Sequence, residues 1–168
     1  MTTSRAGAEV AAAVNRCFPG AAVAIEGGAI LVAPERVAEV CRALRDEEGF
    51  DYLLSVTAVD YLDYFELVYH LLSLSKNESA VLKVRLEGRE GLRVASVTPV
   101  WKTADFQERE VYDLMGIGFE GHPNLKRIMM WEGFPGHPLR KDFLEFDHRT
   151  FLDGQGNSGG QAPARQDR

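Results

Sequence analysis

The sequence predicts an α+β fold, helices packed on a mostly antiparallel sheet, followed by an extended C-terminal arm. Three observations lead there. Up to about residue 50, apolar residues recur at helical spacing in two segments separated by a tight hairpin. From 52 to 88 the period changes to three runs rich in β-branched and aromatic residues, joined by connections too short for crossovers, so the strands are antiparallel neighbours. A chain of 168 residues that is 45% hydrophobic has the size and composition of one domain with a real core.

The first helix spans about 5–17, where Val10, Ala13, Val14 and Cys17 form one stripe, and Pro19-Gly20 stops it. "AVAIE" and "AILVA" flank Gly27-Gly28, whose freedom to adopt positive φ suits a hairpin turn. That pair lacks GxGxxG and a following Lys-Ser/Thr, so it is not read as a phosphate loop. Pro34 suits the first turn of a second helix with the stripe Val37, Val40, Cys41, Leu44, and Gly49 is its C-terminal cap. The three strands lie in 52–61, 64–74 and 80–88; in the last, Leu82, Val84 and Leu86 alternate with Lys83, Arg85 and Glu87. A short strand is expected in 92–97. A third helix then runs from Thr103 or Asp105 to Met115, with Asp105 and Glu108 as a capping-box-like start and Gly116 and Gly118 as its end. These signals divide the chain into an α+β domain (1–117), an extended interaction arm (118–152) and a flexible polar tail (153–168).

Composition excludes several functions. Residues 1–121 hold 12 Lys/Arg against 19 Asp/Glu, a net of −7, while 122–168 hold 7 against 6, a net of +1. With a pI near 5.3 there is no basic stripe for nucleic acid. No apolar run reaches the roughly 18 residues that span a bilayer, and Glu9 and Asn15 interrupt the Ala-rich start, so no secretory signal is read. The chain is expected to be cytosolic, or peripheral to a membrane through a partner. Cys17 and Cys41 are both expected as reduced core thiols, and two cysteines cannot build a four-thiolate iron–sulfur cluster.

The stretch 108–143 carries the functional question. On the third helix, Arg109, Glu110 and Asp113 fall opposite Val111, Leu114 and Met115, close to Phe106 and Ile117. Charges beside large apolar residues suit a face that another protein covers; the alternative is a solvated face with an Arg109–Asp113 pair. Glu108 and Glu110, two residues apart, point to different sides of the helix and do not make a general acid/base pair. His122 and His137 each stand in Gly-His-Pro, which reads as a rigid corner. HExxH is absent and no Cys is near, so no metal site is assigned. Farther on, Lys126-Arg127 and Arg140-Lys141 flank "IMMW", with Met129 and Trp131, and Phe143. Arg, Trp and Met are typical of interfaces, and Arg127 and Arg140 are expected to clamp carboxylates or backbone carbonyls at a subunit boundary. Pro123 and Asp142 complete the candidate subunit interface with Phe106, Glu108 and the residues just named. No catalytic or cofactor-binding residue is assigned.

The run "EREVYDLMGIGFEGHPNLKRIMMWEGFPGHPLRKDF" resembles the signature of the C-subunit family of bacterial NADH-quinone oxidoreductase, respiratory complex I. That family includes the mitochondrial iron–sulfur-protein-fraction subunit and the J-subunit of the photosynthetic NDH-1 complex. The resemblance rests on Glu108-Arg109-Glu110, Asp113, Gly116-Ile117, Gly121-His122-Pro123, Leu125, Arg127 and Pro138-Leu139-Arg140-Lys141-Asp142. It implies a cofactor-free accessory subunit of the hydrophilic arm, peripheral on the cytoplasmic side of the cell membrane. Its chief partner would be the quinone-site D-subunit, with the B- and I-subunits nearby, and flavin and iron–sulfur clusters would sit on other chains. The equivalent subunit of a ferredoxin-dependent NDH-1 or of a membrane-bound hydrogenase-type complex is the close alternative. A free-standing metal-dependent hydrolase using His122, His137 and nearby carboxylates is the reading from another class.

Overall fold

A computed structural model describes residues 2–145, with side chains through Phe143. The polar tail lies outside the described residues. In chain order the elements are β1 (Thr3–Ser4), α1 (Gly7–Cys17), β2 (Ala22–Glu26), β3 (Ala29–Val32), α2 (Val37–Asp46), β4 (Tyr52–Asp60), β5 (Tyr64–Ser73), β6 (Glu78–Glu87), β7 (Arg93–Ala95), α3 (Ala104–Met115) and β8 (Gly118–Glu120). The main sheet has the order β2-β3-β6-β5-β4, and the short β1 adds to β6. The hairpins β2–β3, β4–β5 and β5–β6 are antiparallel, as the turns at Gly27-Gly28, 60–63 and 75–79 require. The α+β class therefore stands. The joint between β3 and β6 is parallel, with Ile30 opposite Leu82, because the chain leaves β3 through α2 before it returns.

Helices α1 and α2 lie on one face of this sheet. Val10, Val14, Val37, Val40, Cys41 and Leu44 are buried in one core with Ile30, Leu67, Tyr69, Leu82 and Val84. Burial pushes the Cys41 thiol far above its usual range. Cys17 is a correction. It sits in the last turn of α1, beyond the packed part of the stripe, is only partly buried, and its Sγ lies 3.0 Å from Glu47 Oε2. Gly49 is not the cap itself, which falls on Glu47; it supplies the left-handed turn (φ +78°) that lets Phe50 N–H reach Leu44 O.

The strand expected in 92–97 exists as β7, but it belongs to a second, two-stranded parallel sheet. Its partner is β8, the first three residues after the helix turn at 116–117. The segment after 117 thus completes the domain's own second sheet, and the residues that follow run back over α3 and the end of β4. The arm expected to lie on another subunit thus lies, over its described residues, on its own domain. The reason is chemical: the polar groups of α3 and of the β4–β5 turn bind the arm's backbone.

Candidate functional site

Helix α3 begins without a side-chain cap, so the capping-box expectation fails. Glu108 points instead into the protein and is fully buried. Its Oε2 accepts from Ser96 Oγ at 2.6 Å and its Oε1 from Val97 N–H at 2.7 Å, which fixes the turn leading from β7 into the helix. Burial outweighs these bonds and pushes the Glu108 carboxyl up to about 7.

Asp113, also fully buried, turns toward the arm. One oxygen, Oδ2, accepts the successive backbone N–H groups of Ile128, Met129 and Met130 at 3.0, 2.7 and 2.8 Å. Arg127 reaches Oδ1 at 3.2 Å and donates also to Gly136 O. Burial opposes ionisation here, but the three N–H groups and the guanidinium outweigh it and hold the carboxyl below its usual range. The expected Arg109–Asp113 pair is therefore absent. Arg109 looks the other way along the helix: its Nε donates to Lys126 O at 3.1 Å, and its guanidinium lies 5.5 Å from the Phe106 ring centre and 3.9 Å from Asp105.

The two Gly-His-Pro corners close on opposite ends of the same helix. The His122 Nδ1 accepts Asn124 N–H, which leaves Nε2–H to donate to Asp105 O at 3.1 Å near the start of α3. The His137 Nδ1 lies 2.9 Å from Asp113 O near its end. Gly116 caps that end at φ +79°, and a Cβ there would meet the His137 ring at 2.6 Å, so glycine is needed for both conformation and space. With each ring engaged by a carbonyl at a different end of the helix, the two histidines do not converge. Among the described residues no group of three or more His, Cys, Asp or Glu is arranged to hold a metal. The ligand set that the hydrolase reading requires is not assembled among the described residues.

The arm's end is fastened through charge. Asp60, at the end of β4, accepts Arg89 Nη2 at 2.7 Å and Lys141 N–H at 2.9 Å. Arg89 also binds Asp142 at 2.9 Å. Arg140 pairs with Asp142 and Glu90, both at 3.0 Å, and rests 5.4 Å from the Phe65 ring centre. Hydrogen bonds from Arg89, helped by the Lys141 and Leu62 amides, hold Asp60 far below the carboxylate range. Arg140 and Arg89 hold Asp142 down to about 2. Arg127 and Arg140 therefore clamp carboxylates of their own chain, which corrects the expectation that they reach for a partner's.

The candidate residues sort into two sets. Glu108, Arg109, Asp113, His122, Arg127, His137, Arg140, Asp142 and Phe143 are tied within the chain. Phe106, Glu110, Pro123, Lys126, Met129, Trp131 and Lys141 face outward. Phe106 is 66% exposed and Met129 and Trp131 are each 59% exposed. Trp131 meets Phe134 edge-on at 4.7 Å, and Phe134 stacks on Phe143 at 5.7 Å, so a small aromatic ladder supports the exposed indole. Leu139, 56% exposed and bonded through its N–H to Leu114 O, is a further exposed apolar residue of the arm and was not among the sequence candidates. Its signal was a large apolar residue beside Pro138 in an otherwise irregular run. Gln107 was also missed: its Oε1 takes Val56 N–H at 2.6 Å and so satisfies one donor on the free edge of β4. No helix among the described residues is long and apolar enough to cross a membrane.

Comparison with known proteins agrees on one family. Residues 30–148 match the family described as respiratory-chain NADH dehydrogenase, 30 Kd subunit. The chain is 48% identical over 136 residues to the NADH-quinone oxidoreductase C-subunit 2 of Rhizobium meliloti (strain 1021), covering 78% of this chain and 74% of that protein. It is 42% identical over 134 residues to the NADH-quinone oxidoreductase C-subunit of Moorella thermoacetica, covering 77% and 90%. Among solved structures it is similar to a chain of the membrane-bound sulfane sulfur reductase, an archaeal respiratory membrane complex. That match has a TM-score of 0.66 and 26% identity and covers 96% of this chain and 98% of the other.

Proposed function

The chain belongs to the respiratory-chain NADH dehydrogenase 30 Kd subunit family, and we propose that it serves that enzyme as a cofactor-free structural subunit of the hydrophilic arm, packed on the quinone-site subunit. The holoenzyme would pass electrons from NADH to quinone and couple this to proton translocation, with flavin and clusters on other chains. The observation that carries the reading is the set of exposed apolar side chains, Phe106 on α3 and Met129, Trp131 and Leu139 on the arm, in a stretch whose Asp113, Arg127, Arg140 and Asp142 are paired within the chain. Large apolar and aromatic side chains held on a fastened surface are what a protein partner covers. The cysteines support the absence of a redox group, since Cys41 is sealed in the core and Cys17 sits alone against Glu47. Attachment to the membrane would run through partners, on the cytoplasmic side.

The test is the complex assembled with a Met129→Ala, Trp131→Ala chain. The expected outcome is loss of this subunit during purification, with NADH:quinone activity of the membranes falling in step. Full retention of the doubly substituted chain, or NADH oxidation by the purified chain alone, would overturn the proposal. A second reading is favoured by the archaeal neighbour, which matches almost end to end: the equivalent scaffold role in a related respiratory membrane complex with another electron donor. The two readings differ only in chains other than this one.

A further inference from the structure

Met129 and Trp131 lie in a loop, 127–131, that has neither helix nor strand of its own. Such a loop would ordinarily sample many conformations and lose that freedom on binding. Here one carboxylate oxygen on α3 accepts three successive N–H groups, from Ile128 to Met130, and so fixes three consecutive peptide planes. The same residue's main-chain carbonyl meets His137, whose ring is seated against Gly116, while Arg127 ties the other carboxylate oxygen to Gly136 O. Both halves of the arm thus converge on one fully buried residue in the last long helix among the described residues, the first half on its carboxylate and the second on its main-chain carbonyl. We infer that Asp113 is the positioning residue of the docking face: it presents Met129 and Trp131 in their bound geometry before the partner arrives. This rests on the docking role proposed above.

The consequence is quantitative. If only a fraction of free chains holds the loop in place, the apparent dissociation constant rises by the inverse of that fraction. The test uses the full-length chain with Asp113→Asn, which keeps the shape and removes the charge, and Arg127→Gln, which leaves the carboxylate but removes its guanidinium. Amide exchange in the free chain and affinity for the complex depleted of this subunit are measured together. For Asp113→Asn, exchange at Ile128–Met130 should quicken about ten-fold or more while Leu67–Leu71 in β5 stays protected. Affinity should fall by a similar factor. Arg127→Gln should give a smaller pair of changes that again agree. A loosened loop with unchanged affinity would overturn the inference. So would uniform loss of protection with binding that tracks only the unfolded fraction, which marks a purely structural residue; should Asp113→Asn not fold, Arg127→Gln decides between the same outcomes. Trp131→Ala separates the two proposals: if it binds normally the docking role fails, whereas if it weakens binding and Asp113→Asn does not, only the positioning role fails.

Discussion

Asp60 accepts the backbone N–H of Lys141 at 2.9 Å across 81 positions of sequence. A carboxylate at the end of a core strand therefore holds the last described turn of the arm. Because Asp60 is almost fully buried, the bond depends on Arg89, which neutralises it at 2.7 Å and extends to Asp142.

Replacing Arg89 by Met should leave the Asp60 charge buried and unpaired. Removing one partner of a buried ion pair costs about 3–5 kcal/mol; the value here should lie at the lower end, because Arg89 is partly exposed and Lys141 N–H remains. Urea unfolding of the isolated chain checks this. A change below about 0.5 kcal/mol, the range of ordinary surface substitutions, would show that the clasp contributes nothing to the fold.

Acid should act through the same carboxylates. Asp60, Asp113 and Asp142 all have folded values below that of the unfolded chain. Their stabilisation is complete above about pH 4, the ordinary aspartate value, and is lost as pH falls toward 2. The arm should loosen first, because its fastenings include these groups. Proteolysis of the arm at pH 3 against pH 6, by a protease active at both, reads this directly. Equal resistance at the two values would contradict it.

Glu108 has the opposite sign. Its folded value near 7 lies above the ordinary 4.5, so the folded state favours the protonated form. The stability it contributes is full below about pH 4.5 and declines as pH rises to about 7. Glu108→Gln keeps an acceptor for Val97 N–H and a group beside Ser96 but cannot ionise. Its urea midpoint should lack the decline that wild type shows between pH 4.5 and 7. Parallel curves for the two proteins over that interval would rule out this titration.

The sheet was legible because its signals are local. Alternation in Leu82, Val84 and Leu86 and the turn residues at 60–63 and 75–79 define β4 to β6 without knowledge of their neighbours. What escaped is what depends on distant partners. The parallel pairing of β3 with β6 joins segments some fifty residues apart, and no local pattern encodes it. Asp113 is grouped with the outward charges, and Glu108 with the helix start, because a helical wheel treats a carboxylate as a wish for water. Most of their donors are the amides of Val97 and of Ile128–Met130, backbone groups that carry no side-chain signal, and the side-chain donors Ser96 and Arg127 lie 12 and 14 positions away. The residues of the docking face were legible in part, since Phe106, Met129 and Trp131 stand out by size among charges and glycines.

Gly116 offers the sharpest test of how the arm is joined to the domain. Its φ of +79° is costly for any residue with a Cβ, and an added Cβ would sit 2.6 Å from the His137 ring. In Gly116→Ala the backbone strain of about 1–2 kcal/mol acts on α3, and the clash acts separately on the arm. The ring must leave, and with it goes the bond from His137 to Asp113 O. His137→Ala isolates the second effect, since it removes the ring but keeps glycine at the cap. The expected outcome is a melting temperature lowered by both substitutions and lowered more by Gly116→Ala. In the double variant the clash has nothing to meet, so its loss should be smaller than the sum of the two single losses. Strict additivity in this cycle would show that the histidine and the glycine act independently, and that the second Gly-His-Pro corner is not what seats the arm on the end of α3.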